Sequence, residues 1–333
     1  MKTIVWGNYK GGVGKTTSTY QVASYFAEMG HRVLLLDLDP QCSLSHICSR
    51  TMGKTLESFA VDKTFNYLLE LYTRLIKKRN DVDLKLLSNN TYNTGFTAIV
   101  SEMLQEVRGN LYFIPSSISY AGCRLNDMAR KMDAHPDCIF LMKMLLDDIA
   151  HIDCVDYVFI DCPPTNNLLI ESAFLSSDYY IVPTIIDEIS ANGVSDYVSE
   201  IEKTYHKYDT DEAIGSILIS KVFPKKTQLI GIFETLYKSR RENARNPKQI
   251  RILNANIDAM GVKTLLSDEK NKSLQYVHEY DPNMTEKHIF KAYIPHKDNR
   301  STGDSMPELT SHGLKAEEYR EIANNIYEVI KNE

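Results

Sequence analysis

Eight consecutive residues, Lys10-Gly11-Gly12-Val13-Gly14-Lys15-Thr16-Thr17, combine small residues, two cations and two hydroxyls at a spacing that suits an anion. Glycine tolerates positive φ and lets the backbone approach a ligand closely, so Gly11, Gly12 and Gly14 allow successive N–H groups to converge on phosphate oxygens. A helical pattern opens at Lys15, and the unpaired N–H groups and positive end of that helix address the same anion. Lys15 supplies a point charge for terminal phosphates, and the Thr16 hydroxyl suits Mg²⁺. Carboxylates extend the chemistry. Val33-Leu34-Leu35-Leu36 ends in Asp37-Leu38-Asp39-Pro40-Gln41, and Tyr157-Val158-Phe159-Ile160 ends in Asp161-Cys162-Pro163-Pro164. Open α/β sheets bind ligands at the C-terminal ends of their strands, and an aspartate closing an apolar strand can hold Mg²⁺ through water.

These residues need particular elements to position them. Thr3-Ile4-Val5-Trp6 reads as a strand leading into the glycine loop, and Val22, Ala23, Phe26 and Ala27 give the helix from Lys15 to Met29 an apolar face that stops at Gly30. The apolar runs lack alternation, as expected of parallel strands covered on both faces. Further strands are expected at Leu111–Ser116, Tyr179–Thr184, Ser216–Ser220 and Phe290–Pro295. Helices are expected at Ile189–Tyr205 and Leu314–Lys331, and over residues 229–236, where Leu229, Ile232, Phe233 and Leu236 fall at helical spacing. Phe65, Leu68, Leu69, Tyr72, Leu75 and Ile76 predict another helix, and a weaker pattern runs from Gly95 to Val107. Met142 and Met144 read as core filler. The expected fold is a doubly wound, mostly parallel α/β sheet of the P-loop NTPase class, one domain over 1–333 with helical insertions near 51–110 and 238–286.

The chain has 333 residues, 43% of them hydrophobic and 25% charged, with a net charge of −6, which excludes a uniformly basic nucleic-acid coat. No apolar run reaches membrane-spanning length and the N-terminal strand lacks signal-peptide anatomy, so the expected location is cytoplasmic. Six cysteines form no C-x-x-C pair, so reduced thiols are expected rather than zinc or disulfides.

The glycine loop resembles the deviant Walker A motif, K-G-G-x-G-K-[ST]-[ST], of the ParA/MinD superfamily of P-loop ATPases. The ordinary pattern would place its first glycine at Tyr9; Lys10 stands beside that gap instead. The resemblance implies ATP and Mg²⁺ as ligands, with residues 10–17 binding nucleotide, Lys15 on the phosphates, and Lys10 reaching across an ATP-dependent homodimer to the partner's phosphates. Thr16, Asp37 and Asp161 would hold Mg²⁺, Asp37 and Asp161 through water, and Asp39 would orient the attacking water. Adenine would rest near Pro183 and Lys221. Cys42 departs from the pattern, since the family usually has glycine there. A reductase resembling the nitrogenase iron protein shares this loop but would need paired cluster cysteines, for which Cys123 and Cys162 are the nearest candidates.

Residues 221–251 hold nine basic side chains against Glu234 and Glu242, a local +7. Such a patch on an acidic chain is the footprint of nonspecific binding to double-stranded DNA, with Lys225, Arg240, Arg241 and Arg245 as candidate contacts; the alternative is a solvated helix face. Similarity to partition ATPases implies a nucleoid-associated protein and a ParB-type partner that stimulates hydrolysis. The acidic face of the last helix, Glu317, Glu318, Glu321 and Glu328, argues against a MinD-type membrane anchor. The loop begins so early that no preceding operator-binding domain is expected. A positioning ATPase for another cellular cargo is the alternative.

Overall fold

The computed structural model describes residues 1–78, 95–120, 123–209, 216–237, 246–278, 281–295, 316–331 and 333. Its strands are β1 (Lys2–Trp6), β2 (Val33–Asp37), β3 (Gln105–Arg108), β4 (Leu111–Ile114), β5 (Tyr157–Asp161), β6 (Tyr179–Thr184), β7 (Gln228–Tyr237), β8 (Gln275–His278) and β9 (Asp281–Pro295). They form one sheet in the order β3-β4-β2-β5-β1-β6-β7-β9-β8. From β4 to β9 every pairing is parallel, and only the two edge strands run antiparallel to their neighbours. Chain order leaves β1 in the middle with strands added outward on both sides, which makes the sheet doubly wound.

Alternate residues along a strand point to opposite faces, and each face builds its own core. Ile4 and Trp6 of β1, Leu35 of β2 and Phe159 of β5 pack against the helices Lys15–Glu28 and Glu318–Ile330. Val5, Leu34, Leu36, Val158 and Ile160 face the helices Phe65–Lys77, Leu141–Ala150 and Leu168–Ser176. Met142 and Met144 are buried in this second layer, as expected of core filler.

Two elements are exchanged relative to the sequence reading. Residues Ser216–Val222 form a helix rather than a strand, and Gln228–Tyr237 form β7 rather than a helix. Short apolar runs do not distinguish a buried strand from a buried helix by periodicity. In β7 every side chain from Leu229 to Thr235 is buried because both faces are covered, so Leu229, Ile232 and Phe233 share a helical spacing by accident. The helix expected to run to Val107 stops at Met103, and Gln105–Arg108 turn back as the edge strand β3. The last strand is longer than expected, beginning at Asp281.

A close approach at the end of β1 constrains the glycine loop from below. A Cβ on Gly7 would lie 1.6 Å from the Tyr197 hydroxyl, which is buried and has no hydrogen-bond partner among the described residues. Gly7→Ala is therefore expected to cost roughly 1–3 kcal/mol by overpacking, with part of the loss recovered in Gly7→Ala/Tyr197→Phe, where the ring carbon Cζ still lies 2.7 Å from the added Cβ. Tyr197→Phe alone should be neutral or stabilising, because the hydroxyl it removes has no partner among the described residues. Chemical denaturation of the four proteins, as a double-mutant cycle, checks both expectations.

Candidate nucleotide site

Parallel strands put the ends of β1, β2, β5, β6 and β7 on one edge of the sheet, and the sequence-predicted residues gather there. The loop after β1 turns into the helix Lys15–Glu28 through Gly14, whose φ of 76° is left-handed, with Gly12 at φ 71°. Gly11 is not left-handed and a Cβ there would meet nothing within 4 Å. The expected backbone freedom thus operates at two of the three glycines.

The loop is held by polar contacts within the protein. Lys15, 7% exposed, donates from Nζ to the Lys10 carbonyl at 3.0 Å. Burial lowers its pKa, against the opposing pull of Asp161 and Asp39. The Asn8 amide donates to the Pro183 carbonyl at 3.0 Å while its Oδ1 accepts from the Lys10 N–H at 2.9 Å. Lys10 extends to Asp187, Nζ to Oδ2 2.8 Å, in a partly exposed ion pair.

Asp37 and Asp161 close adjacent strands β2 and β5 in direct register, and both are almost wholly buried. Asp37 accepts from the Ser45 N–H at 2.8 Å and the Asp39 N–H at 3.1 Å. Asp161 accepts from the Thr16 hydroxyl at 2.7 Å and the Thr19 hydroxyl at 3.4 Å. Desolvation raises both carboxyls: Asp37 goes from 3.8 to about 7, with the charge of Asp39 adding to the effect, and Asp161 goes well above its ordinary range, with the charge of Asp37 adding to it. A divalent cation placed here would reverse that penalty, and the oxygen-only set of Thr16, Asp37 and Asp161 suits Mg²⁺, which typically takes one or two carboxylates, water and substrate phosphates. Among the described residues no group of three or more His, Cys, Asp or Glu forms a self-sufficient metal cage. Asp39 is half-buried beside this pair, its Oδ1 accepting from the Gln41 N–H at 2.9 Å.

Cys42 is buried at φ 52°, in the left-handed region that favours glycine. It accepts that conformation at a cost of about 1–2 kcal/mol. All six cysteines are free thiols, and burial is the main force raising those of Cys42, Cys123 and Cys162.

Not every candidate comes to this edge. Lys221 lies in the helix before β7 rather than in a loop after a strand, so the structure removes it from the expected adenine side. Lys225 is exposed and precedes β7, placing it toward the opposite edge of the sheet. Arg240, Arg241 and Arg245 lie outside the described residues. Sequence reasoning missed Asn8, Asp187 and Thr235. Asn8 and Asp187 carry no motif signal, and Thr235 sits in the strand read as a helix.

This arrangement defines the class: a P-loop nucleotide-binding protein with its loop after the central strand and two acidic strand ends beside it. Residues 1–214 match the family described as AAA domain (AAA_31), and the chain belongs to that family, within P-loop ATPases of the ParA/MinD type. An uncharacterized protein of Mycobacterium tuberculosis is 28% identical over 227 residues, 67% of this chain; the match spans 59% of that relative's length. The chromosome-partitioning ATPase Soj of Treponema pallidum is 24% identical over 229 residues, 68% of this chain and 74% of its own. In fold the chain resembles cobyrinic acid a,c-diamide synthase of Mycobacterium smegmatis, solved with an ATP analog and magnesium, at a TM-score of 0.55 and 19% identity over 97% of this chain and 93% of that one.

The raised Asp37 carboxyl has a definite pH consequence. A folded-state pKa above the unfolded value gives stability that is full below about 3.8 and is lost as pH rises through about 7. In the absence of ligand, Asp37→Asn should flatten the decline in stability between pH 4 and 8, by an amount on the order of 2–4 kcal/mol. Urea denaturation of both proteins across that pH range measures it.

Proposed function

We propose that this chain is a Mg²⁺-dependent ATPase that acts as a DNA-partition switch. The observation that carries the reading is the meeting of the left-handed Gly12 and Gly14 with the buried Asp37–Asp161 pair at the Thr16 hydroxyl. It is supported by the partitioning ATPase among the relatives and by the fold neighbour solved with an ATP analog and magnesium. In this reading residues 10–17 bind the phosphates, and Lys15 exchanges the Lys10 carbonyl for a phosphate oxygen. Thr16, Asp37 and Asp161 would hold Mg²⁺, whose role when bound is to neutralise charge on the phosphates and polarise them. Asp39 orients the attacking water. Lys10 leaves Asp187 to reach the nucleotide of a second copy, so that ATP favours a homodimer by differential contacts with its terminal phosphate. The chain works as one P-loop domain over 1–333 in the cytoplasm.

The dimer binds double-stranded DNA nonspecifically, on the nucleoid, through the basic stretch that includes Lys225, Arg240, Arg241 and Arg245, until a ParB-type partner stimulates hydrolysis. Among the described residues no helix is long and apolar enough to cross a membrane. Positioning of another cellular cargo by the same ATP cycle is the second reading, favoured by the placement of Lys225 away from the nucleotide edge.

Lys15→Ala should weaken Mg²⁺-ATP binding by about 100-fold, because it removes a buried cation. Asp39→Ala should bind ATP normally and lose about 10²–10⁴-fold in turnover. Isothermal titration and phosphate release separate the two, and normal turnover in Asp39→Ala would remove this residue from catalysis.

Binding of random-sequence duplex DNA should require ATP and persist in Asp39→Ala. If about six phosphates are neutralised, log affinity should fall against log salt with a slope near −5. DNA binding that is absent under every nucleotide condition would favour the other cargo.

A further inference from the structure

Thr235 lies two residues from the end of β7, wholly buried, and its hydroxyl donates to the Val13 carbonyl at 2.7 Å and to the Thr184 carbonyl at 3.1 Å. One proton is thus shared between the glycine loop and the end of β6. Val13 precedes Gly14, whose left-handed φ opens the helix. In a trans peptide the carbonyl and the following N–H point in opposite directions. Holding the Val13 carbonyl against Thr235 therefore holds the Gly14 N–H away from Thr235. A glycine-flanked peptide that is not anchored can rotate and present its carbonyl to an anion instead of its N–H, which repels where it should bind.

We propose that Thr235 is a positioning residue of the nucleotide site: its hydroxyl pins the Val13–Gly14 peptide in the anion-receiving orientation and thereby sets affinity for the nucleotide's phosphates. The inference rests on the nucleotide reading above. It concerns a residue outside the loop, contributed by a strand more than 200 positions later in the chain. Gly14 and Thr235 are neighbours, since a Cβ on Gly14 would lie 3.9 Å from the Thr235 Cβ, an ordinary van der Waals contact. The Asn8 amide makes a parallel tie to the Pro183 carbonyl, so the loop is fastened to the end of β6 from two directions.

The test uses two pairs that differ in the hydroxyl at nearly constant shape, Thr235 with Thr235→Val and Thr235→Ser with Thr235→Ala, each titrated with Mg²⁺-ATP and with Mg²⁺-pyrophosphate. Pyrophosphate probes the cradle without a base. The expected result is an affinity loss of about ten-fold for both probes in Val and Ala, with Ser within about two-fold of the parent. KM for ATP should rise in step, with kcat changed less. A purely structural hydroxyl would lower the melting temperature but leave the affinity of the folded protein unchanged, and that result overturns the proposal. Ser weakened as much as Ala also overturns it. If Val does not fold, the Ser and Ala comparison decides alone. A parent protein that binds neither probe, indistinguishably from Lys15→Ala, sinks the nucleotide reading itself, whereas a binding parent with unaffected Val and Ala sinks only the role of Thr235.

Discussion

Two carboxylates held side by side in a dry protein edge are unfavourable unless something positive joins them, and this structure is arranged around such a pair. Asp37 and Asp161 end neighbouring parallel strands in register, so the hydrogen-bonding pattern of the sheet sets their separation before any side chain adjusts. Their neighbours soften the penalty without removing it. Backbone N–H groups of Ser45 and Asp39 serve one carboxylate, and hydroxyls of Thr16 and Thr19 serve the other. The charge of Lys15 acts on Asp161 in the favourable sense, but Lys15 is itself desolvated. A buried acidic pair of this kind lowers stability on its own, and in the function proposed above a cation held between the two carboxylates would relieve that penalty.

The loop opposite this pair is shaped in advance. Lys15, Asn8 and Thr235 each hold a backbone carbonyl at or beside it, which leaves fewer conformations to be lost when an anion arrives. Its glycines carry different loads. Gly12 and Gly14 supply left-handed turns, whereas Gly7, before the motif, is required by the Tyr197 ring beneath it. The position of Cys42 follows the same logic in reverse. A residue with a Cβ occupies a left-handed site, and its buried side chain fills the core at the cost of backbone strain.

Lys10 shows how a motif residue takes its setting from distant sequence. The ion pair with Asp187 places it beside the start of the helix Glu188–Asp209, whose Tyr197 also packs edge-on against Tyr9. The two residues that precede the glycines thus contact this helix and the residue just before it. The nucleotide edge and this helix are mechanically joined through side chains that no local pattern announces.

The local part of this protein can be read from residue order alone. Lys10 to Thr17, Asp37, Asp39 and Asp161 were legible because each lies where an apolar strand ends, and in a parallel sheet those ends share an edge. Continuous apolar runs likewise announced strands covered on both faces, and the family match over residues 1–214 falls on this portion. The rest depends on packing between segments distant in the chain. Whether residues 216–237 are strand then helix or helix then strand depends on which run is covered on both faces, and periodicity in a short apolar segment carries no information about that. The exchange moved Lys221 off the nucleotide edge and brought Thr235 onto it. Contacts such as Thr235 with Val13 and Lys10 with Asp187 join residues separated by more than 170 positions, and their geometry exists only once β6 and β7 have been added beside β1.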